Sequence, residues 1–373
     1  MNPESLALDR VLSIPPYPPG RPIAAVAREF GLDPKKIVKL ASNENPLGPS
    51  PRAQQAITAG AGGASLYPDF ETFALREALS RQLGITPDRI LSGAGSSDHI
   101  ILVARAFLEP GTSALIPQYS FASYRGAIDS VGAGTIVVPA RDFGIDVDRL
   151  LEAIDDSVRV IYVATPNNPT GTRLDRNSLQ HLLARIPERI IVVLDEAYRD
   201  YLDPSDRPDT DHLPESRPNV IVLRTFSKIY GLAGLRVGYA IADPAIVRVL
   251  RRLQAPFSVG ALAEAAATAA IGDVDFLHKT RSLNALERER VAGALGAAAI
   301  DYVPSHGNFI LLRVGDGRST FQSLLRRGII VRPVDNYQLP AWIRVSIGLP
   351  AENDLFLSHL LEVVSSASNA VGI

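Results

Sequence analysis

Between about residues 70 and 250 the chain alternates short apolar, β-branched runs with longer stretches of helical period. The runs fall at 89–92, 113–117, 135–138, 158–164, 190–194, 219–224 and 237–242. Positions 160–163 and 190–194 are apolar without a break, as expected of strands covered on both faces. Helical patterns lie between them at 70–83, 97–108 and 176–184. Strand and helix in alternation predict an α/β fold, a mostly parallel sheet with helices on both faces. From 274 the rhythm changes: a long helix to about 299, strand-like runs at 308–314, 328–332 and 342–347, and a closing helix over 352–365. This predicts a smaller α+β domain. Residues 1–45 contain Pro15, Pro16, Pro18, Pro19 and Pro22, which favour extended backbone, and they read as an irregular arm lying across the body. The expected division is an N-terminal arm at 1–45, a large domain at 46–273 and a small C-terminal domain at 274–373.

Composition narrows the classes. Of 373 residues 46% are hydrophobic and 21% charged, which supplies a sizeable core and excludes disordered and fibrous chains. Lys plus Arg number 38 and Asp plus Glu 40, a near balance that argues against a nucleic-acid platform. The chain has no cysteine, so disulfides, thiolate nucleophiles and Cys-ligated zinc are ruled out. The six histidines show no metal-ligand spacing, and no metal site is expected. Residues 1–10 carry Glu4 and Asp9 and lack the apolar segment of a secretory signal. The alanine-rich stretch 259–271 holds Glu264, is too short to cross a bilayer, and reads as a buried helix. A soluble, cytoplasmic enzyme with no nucleic-acid or membrane partner is the expectation.

In a parallel α/β sheet the ligand lies at the carboxyl ends of the strands. After the run at 89–92 comes Gly93-Ala94-Gly95-Ser96-Ser97-Asp98 and then a helix. Small residues there expose backbone N–H groups and the positive end of the helix dipole to an anion. A dinucleotide fingerprint would place a third glycine where Asp98 stands, so a phosphate cup is favoured over a nicotinamide site. After 158–164 comes Thr165-Pro166-Asn167-Asn168-Pro169-Thr170-Gly171, a rigid turn presenting amide donors. After 190–194 comes Asp195-Glu196-Ala197-Tyr198. An Asp ending an apolar run is costly to bury unless it meets a cation, although it could simply cap the next turn. After 219–224 comes Thr225-Phe226-Ser227-Lys228, with Arg236 eight residues beyond the lysine. Desolvation and a nearby cation would lower the lysine pKa and make its amine nucleophilic, while Arg236 could also bind phosphate.

SNENPLGPSP at 42–51, YPD at 67–69, GAGSSD at 93–98, TPNNPTG at 165–171, DEAY at 195–198, TFSKIYGLAGLRVGY at 225–239 and IRVSIG at 343–348 occur in the order found in fold-type I pyridoxal-phosphate aminotransferases. From about Pro18 to the carboxyl end the chain resembles that family, nearest to its histidinol-phosphate and aromatic members. The resemblance implies that Lys228 carries the pyridoxal 5′-phosphate cofactor and shuttles the proton between substrate α-carbon and cofactor C4′. It implies that Asp195 pairs with the pyridine nitrogen, that Asn168 and Tyr198 bond the ring oxygen, and that Phe121, or else Tyr119, stacks on the ring. Ala94, Gly95, Ser96, Thr225, Ser227 and Arg236 would hold the cofactor phosphate. Tyr67 would reach the phosphate of a neighbouring subunit, making a homodimer with shared active sites. Arg344 would clamp a donor carboxylate. Arg332 would supply a second cation for a substrate phosphate or second carboxylate, or else form a surface ion pair, and Tyr17 could close the pocket. Ala94, Ser97 and Ile229 depart from residues common in the family without removing a catalytic group. The implied activity is a transaminase joining a small-molecule amino donor and a 2-oxo acid acceptor, first histidinol phosphate with 2-oxoglutarate, then aromatic amino acids. A threonine-phosphate-type decarboxylase and a non-catalytic ligand sensor on the same scaffold are further alternatives, and a nicotinamide dehydrogenase, disfavoured by Asp98, is the last.

Overall fold

The computed structural model describes residues 2–16 and 18–371. Its strands, in chain order, are β1 Val38–Lys39, β2 Ile90–Gly93, β3 Ser113–Pro117, β4 Gly134–Val138, β5 Val158–Ala164, β6 Ile191–Asp195, β7 Val220–Thr225, β8 Gly238–Ile241, β9 Tyr302–Val303, β10 Phe309–Arg313, β11 Ile329–Ile330, β12 Arg332–Pro333 and β13 Trp342–Ser346. Seven of them form one sheet in the order β2-β8-β7-β6-β5-β3-β4. Strands β3 to β7 run parallel, and β8 is inserted antiparallel between β7 and β2.

The two-residue period of a strand sorts this sheet's side chains onto two cores. Ile161, Val163, Val192, Leu194 and Val222 face one layer with Leu179, Leu182, Ala266 and Ala267 from the helices Arg176–Arg185 and Ala261–Ile271. Val160, Tyr162, Val193, Ile221 and Leu223 face the other with Ile100, Val103 and Ala104 of the helix Ser96–Phe107. Burial on both faces is why these runs show no polar alternation. Each fully buried Val, Leu or Ile contributes roughly 1.5–3 kcal/mol.

A second sheet, β12-β13-β10-β9, is antiparallel and lies against the helices Val274–Ala297 and Pro350–Val371. In it Arg332 is the register partner of Arg344. The expected run at 328–332 is divided: β11 pairs in parallel with β1, while β12 joins β13.

The segment expected to be irregular up to residue 45 is not so throughout. A helix spans Ile23–Phe30, and its Val26 and Ala27 pack with Ile37, Ala41, Leu325 and Ile330. The proline cluster ends at Pro22, which is the N-cap, so it does not reach into this helix. Further helices lie at Pro51–Gly60, Ala122–Val131, Val147–Glu152, Pro244–Arg251 and Gly317–Arg326. Among the described residues no helix is long and apolar enough to cross a membrane, and no cluster of side chains could hold a metal ion.

Candidate active site

The carboxyl ends of β5, β6 and β7 open into a cleft of about 250 Å³. Its walls include Ser42, Asn43, Ser96, Ser97, Phe121, Asn168, Asp195, Tyr198, Thr225, Ser227, Lys228, Arg236, Arg332, Tyr337 and Arg344. Side chains as far apart in sequence as Ser42 and Arg344 therefore meet in one place. Lys228 is half-buried at the start of the turn after β7; its Nζ donates to Ser42 O at 3.3 Å and lies 5.5 Å from the centroid of the Tyr198 ring.

Asp195 ends β6 and is buried. Its Oδ2 accepts from the Tyr124 hydroxyl at 2.8 Å and its Oδ1 from Ala197 N–H at 3.1 Å. Burial holds this carboxyl above its ordinary pKa; the Tyr124 and Ala197 donors and the Lys228 charge oppose that, and Glu196 adds to it. Burial likewise raises Tyr124 well above the usual phenol range, helped by the Asp195 charge. A buried carboxylate whose two contacts are neutral donors suits a cationic group presented from the cleft.

At the other end the chain is shaped for an anion. Gly95 has φ +86° and precedes the helix Ser96–Phe107, whose first N–H groups open toward the cleft. A Cβ on Gly95 would lie 2.7 Å from Arg236 Nη2, so only glycine lets the guanidinium approach this turn. Arg236 donates to Ser227 Oγ at 3.3 Å and to Ala94 O at 3.4 Å, and Thr225 Oγ1 donates to Ser227 Oγ at 3.0 Å. Ala94 and Gly95 stand behind the wall, and Ala94 N–H is engaged by Asp98 Oδ2 at 3.2 Å. These donors fit a phosphate. Together with Asp195 and Lys228 they fit a group with a phosphate at one end and a protonatable ring nitrogen at the other.

The remaining expected residues fall in several places. Phe121 is on the cleft wall, whereas Tyr119 stacks on Phe143 at 5.7 Å. Arg344 is buried, donating to Asn168 Oδ1 and to Ala41 O; Arg332 donates to Pro18 O at 2.7 Å. Tyr67 is 83% exposed and stacks on Phe257 at 4.7 Å, beside exposed Leu66, Phe70 and Phe73. Tyr17 lies outside the described residues.

Sequence reasoning missed three contributors. Tyr124 was hidden because nothing in its local pattern points it at β6. Asn43, at φ +55°, donates to the Tyr198 hydroxyl at 2.9 Å, and its own Oδ1 accepts from Ser346 Oγ at 2.9 Å. The signal for Asn43 was its presence in the 42–51 motif, which carried no assigned role. Tyr337 joins the wall from the turn after β12, its hydroxyl accepting from Ala122 N–H at 3.4 Å.

Residues 35–360 match the family model for aminotransferase class I and II. A histidinol-phosphate aminotransferase of Thiobacillus denitrificans is 50% identical over 357 residues, 96% of this chain and 93% of that one. A second, from Ralstonia nicotianae, is 47% identical, covering 96% of this chain and 97% of its own length. Among solved structures, the histidinol-phosphate aminotransferase of Sinorhizobium meliloti in complex with pyridoxal-5′-phosphate superposes with a TM-score of 0.86 at 30% identity, over 96% of this chain and 97% of that one. The aspartate aminotransferase of Thermus thermophilus with maleate shares the fold, with a TM-score of 0.82 at 22% identity over 95% of this chain and 98% of that one.

Proposed function

This chain belongs to the class I and II aminotransferases of fold-type I, and from that premise we propose that it exchanges the amino group between histidinol phosphate and 2-oxoglutarate, using pyridoxal 5′-phosphate. Near full-length identity of 50% and 47% to histidinol-phosphate aminotransferases supports the substrate. The observation that carries it is the arginine pair. Arg332 and Arg344 are cross-strand partners on the wall of the cleft that also holds Lys228 and Asp195. Two guanidiniums suit the phosphate of one donor and the second carboxylate of the other, glutamate.

When bound, pyridoxal phosphate supplies an electron sink that allows the substrate α-proton to leave. The chain supplies the rest. Arg236, Ser96, Thr225 and Ser227 would hold the phosphate. Asp195, fixed by Tyr124 and Ala197, would pair with the pyridine nitrogen and keep its proton in place. Tyr198, held by Asn43, and Asn168 would bond the ring oxygen, and Phe121 would cover the ring. Lys228 Nζ anchors the cofactor and then accepts and returns the proton of the substrate α-carbon. Arg344 holds the α-carboxylate of glutamate, for which it exchanges its contacts with Asn168 and Ala41. The exposed aromatic patch around Tyr67 supports a homodimer in which this tyrosine reaches the partner's phosphate site.

Single-turnover half-reactions with histidinol phosphate, glutamate and phenylalanine test the assignment. Histidinol phosphate and glutamate should each convert the cofactor. Arg332→Ala should lower the rate constant kcat/KM with histidinol phosphate by about 10- to 100-fold and barely change that with phenylalanine. Phenylalanine reacting as fast as histidinol phosphate, or equal losses with both, would overturn the substrate assignment.

A further inference from the structure

One fully buried titratable side chain near the cleft has no part in the mechanism above. His99, on the first turns of the helix Ser96–Phe107, has none of its surface exposed. Its Nε2 lies 2.8 Å from Leu91 O, on β2, and its Nδ1 lies 3.2 Å from Gly95 O, in the anion-binding turn. The ring thus bridges the strand and the turn that leaves it. Gly93 makes room for this: a Cβ there would come within 2.8 Å of both His99 Cε1 and Asp98 Oδ2.

Both ring nitrogens face acceptors. A neutral imidazole can donate to one of them; the imidazolium donates to both. The shorter contact identifies Leu91 O as the standing acceptor, leaving Gly95 O opposite the second nitrogen. The titratable groups around the ring are Asp98 on its own helix, Arg236 reaching the turn from before β8, and neutral Tyr162 of β5, whose hydroxyl donates to Ile100 O at 3.2 Å. A phosphate on the turn adds a dianion to this set.

We propose that His99 is a positioning residue of the phosphate-binding turn and takes up a proton when a phosphate ester seats there. The inference rests on the turn being the cofactor-phosphate site. The proton comes from solvent, adds to Nδ1 and turns the contact with Gly95 O into an N–H···O bond. That bond braces the turn whose N–H groups hold the ester. Burial lowers the pKa of the ring, while Asp98 and the two carbonyls oppose, which puts the transition on the acid side of 6.5.

The test compares pyridoxal 5′-phosphate with pyridoxal, as Kd by fluorescence titration of the full cofactor-free chain between pH 5 and 8. Wild type, His99→Leu and His99→Gln are measured, with proton uptake by calorimetry in buffers of different ionisation enthalpy. In wild type, binding of the phosphorylated probe should strengthen as pH falls relative to both variants and should take up protons that the variants do not. His99→Leu should lose about tenfold in Kd for the phosphorylated probe and little for pyridoxal, the scale of one hydrogen bond to an ionised group. His99→Gln, which keeps a donor but no charge, should recover part of that affinity and none of the pH response. Variants with wild-type pH response and proton uptake, or equal losses for both probes, would overturn the proposal. Wild type unable to distinguish the two probes would instead overturn the phosphate site on which it rests.

Discussion

Tyr124→Phe removes one oxygen atom from a fully buried side chain and leaves its ring stacked on Tyr162 at 4.9 Å. The lost hydroxyl is one of two donors on the Asp195 carboxylate, at 2.8 Å. A buried ionised acceptor that loses a donor costs about 1.5–3 kcal/mol, or about 2–4 °C in the melting midpoint of a chain this long. The pH dependence follows from the direction of the Asp195 shift. Burial raises its pKa in the folded chain, and Tyr124 is among the groups that lower it, so the variant raises it further. A carboxyl raised on folding contributes stability that is fully present below its unfolded pKa near 4 and is lost as pH rises through the folded value. The deficit of Tyr124→Phe should therefore be small near pH 4.5 and grow toward pH 7. Thermal or urea melts of the cofactor-free chain across that range measure it. A deficit under about 0.5 kcal/mol at pH 7, or one that does not change with pH, would refute the reasoning.

Lys228→Ala should lower turnover by about 10⁴-fold or more while the cofactor still binds through the Arg236 turn; activity within tenfold of wild type would remove the lysine from the chemistry. Behind Asp195, Arg224 donates to Glu196 Oε2 at 2.9 and 2.8 Å, with Asp211 and Thr210 completing a buried network. Arg224→Met should destabilise by about 3–5 kcal/mol, and adding Glu196→Gln should recover part of the loss, because the buried carboxylate then keeps Arg199, 3.3 Å away, as its cationic partner and loses the two Arg224 bonds. Simple additivity of the two changes in urea melts would exclude that pairing.

The large sheet was legible because β5 and β6 bury both faces, and a short unbroken apolar run between turn residues is the pattern such strands demand. Lys228, Asp195, Asn168 and Arg236 were legible for a different reason: Asp195 ends β6, Asn168 and Lys228 lie in the turns after β5 and β7, Arg236 lies just before β8, and these strand ends converge. Residues that reach the cleft from elsewhere were not. Tyr124 sits on a helix with no periodic signal pointing toward β6, and Asn43 owes its place to a left-handed backbone conformation that local sequence does not disclose. The helix Ile23–Phe30 was obscured by neighbouring prolines, since its apolar spacing at 23, 26, 27 and 30 covers only two turns. From sequence His99 is one of six histidines without metal-ligand spacing, and only the two carbonyls around it reveal another role.

The facing arginines of β12 and β13 have a price in the folding of the small sheet. Like charges placed opposite one another across antiparallel strands oppose pairing by a few tenths of a kcal/mol to about 1 kcal/mol. A neutral residue at 332 would relieve that repulsion, whereas one at 344 would also strand the acceptors Asn168 and Ala41, so heat-tolerance screens and consensus redesign would both drift toward variants of 332 that keep the sheet and lose the anion. Thermostability in this scaffold has to be sought elsewhere, and any improved variant should be assayed with its phosphorylated substrate before its melting point is trusted.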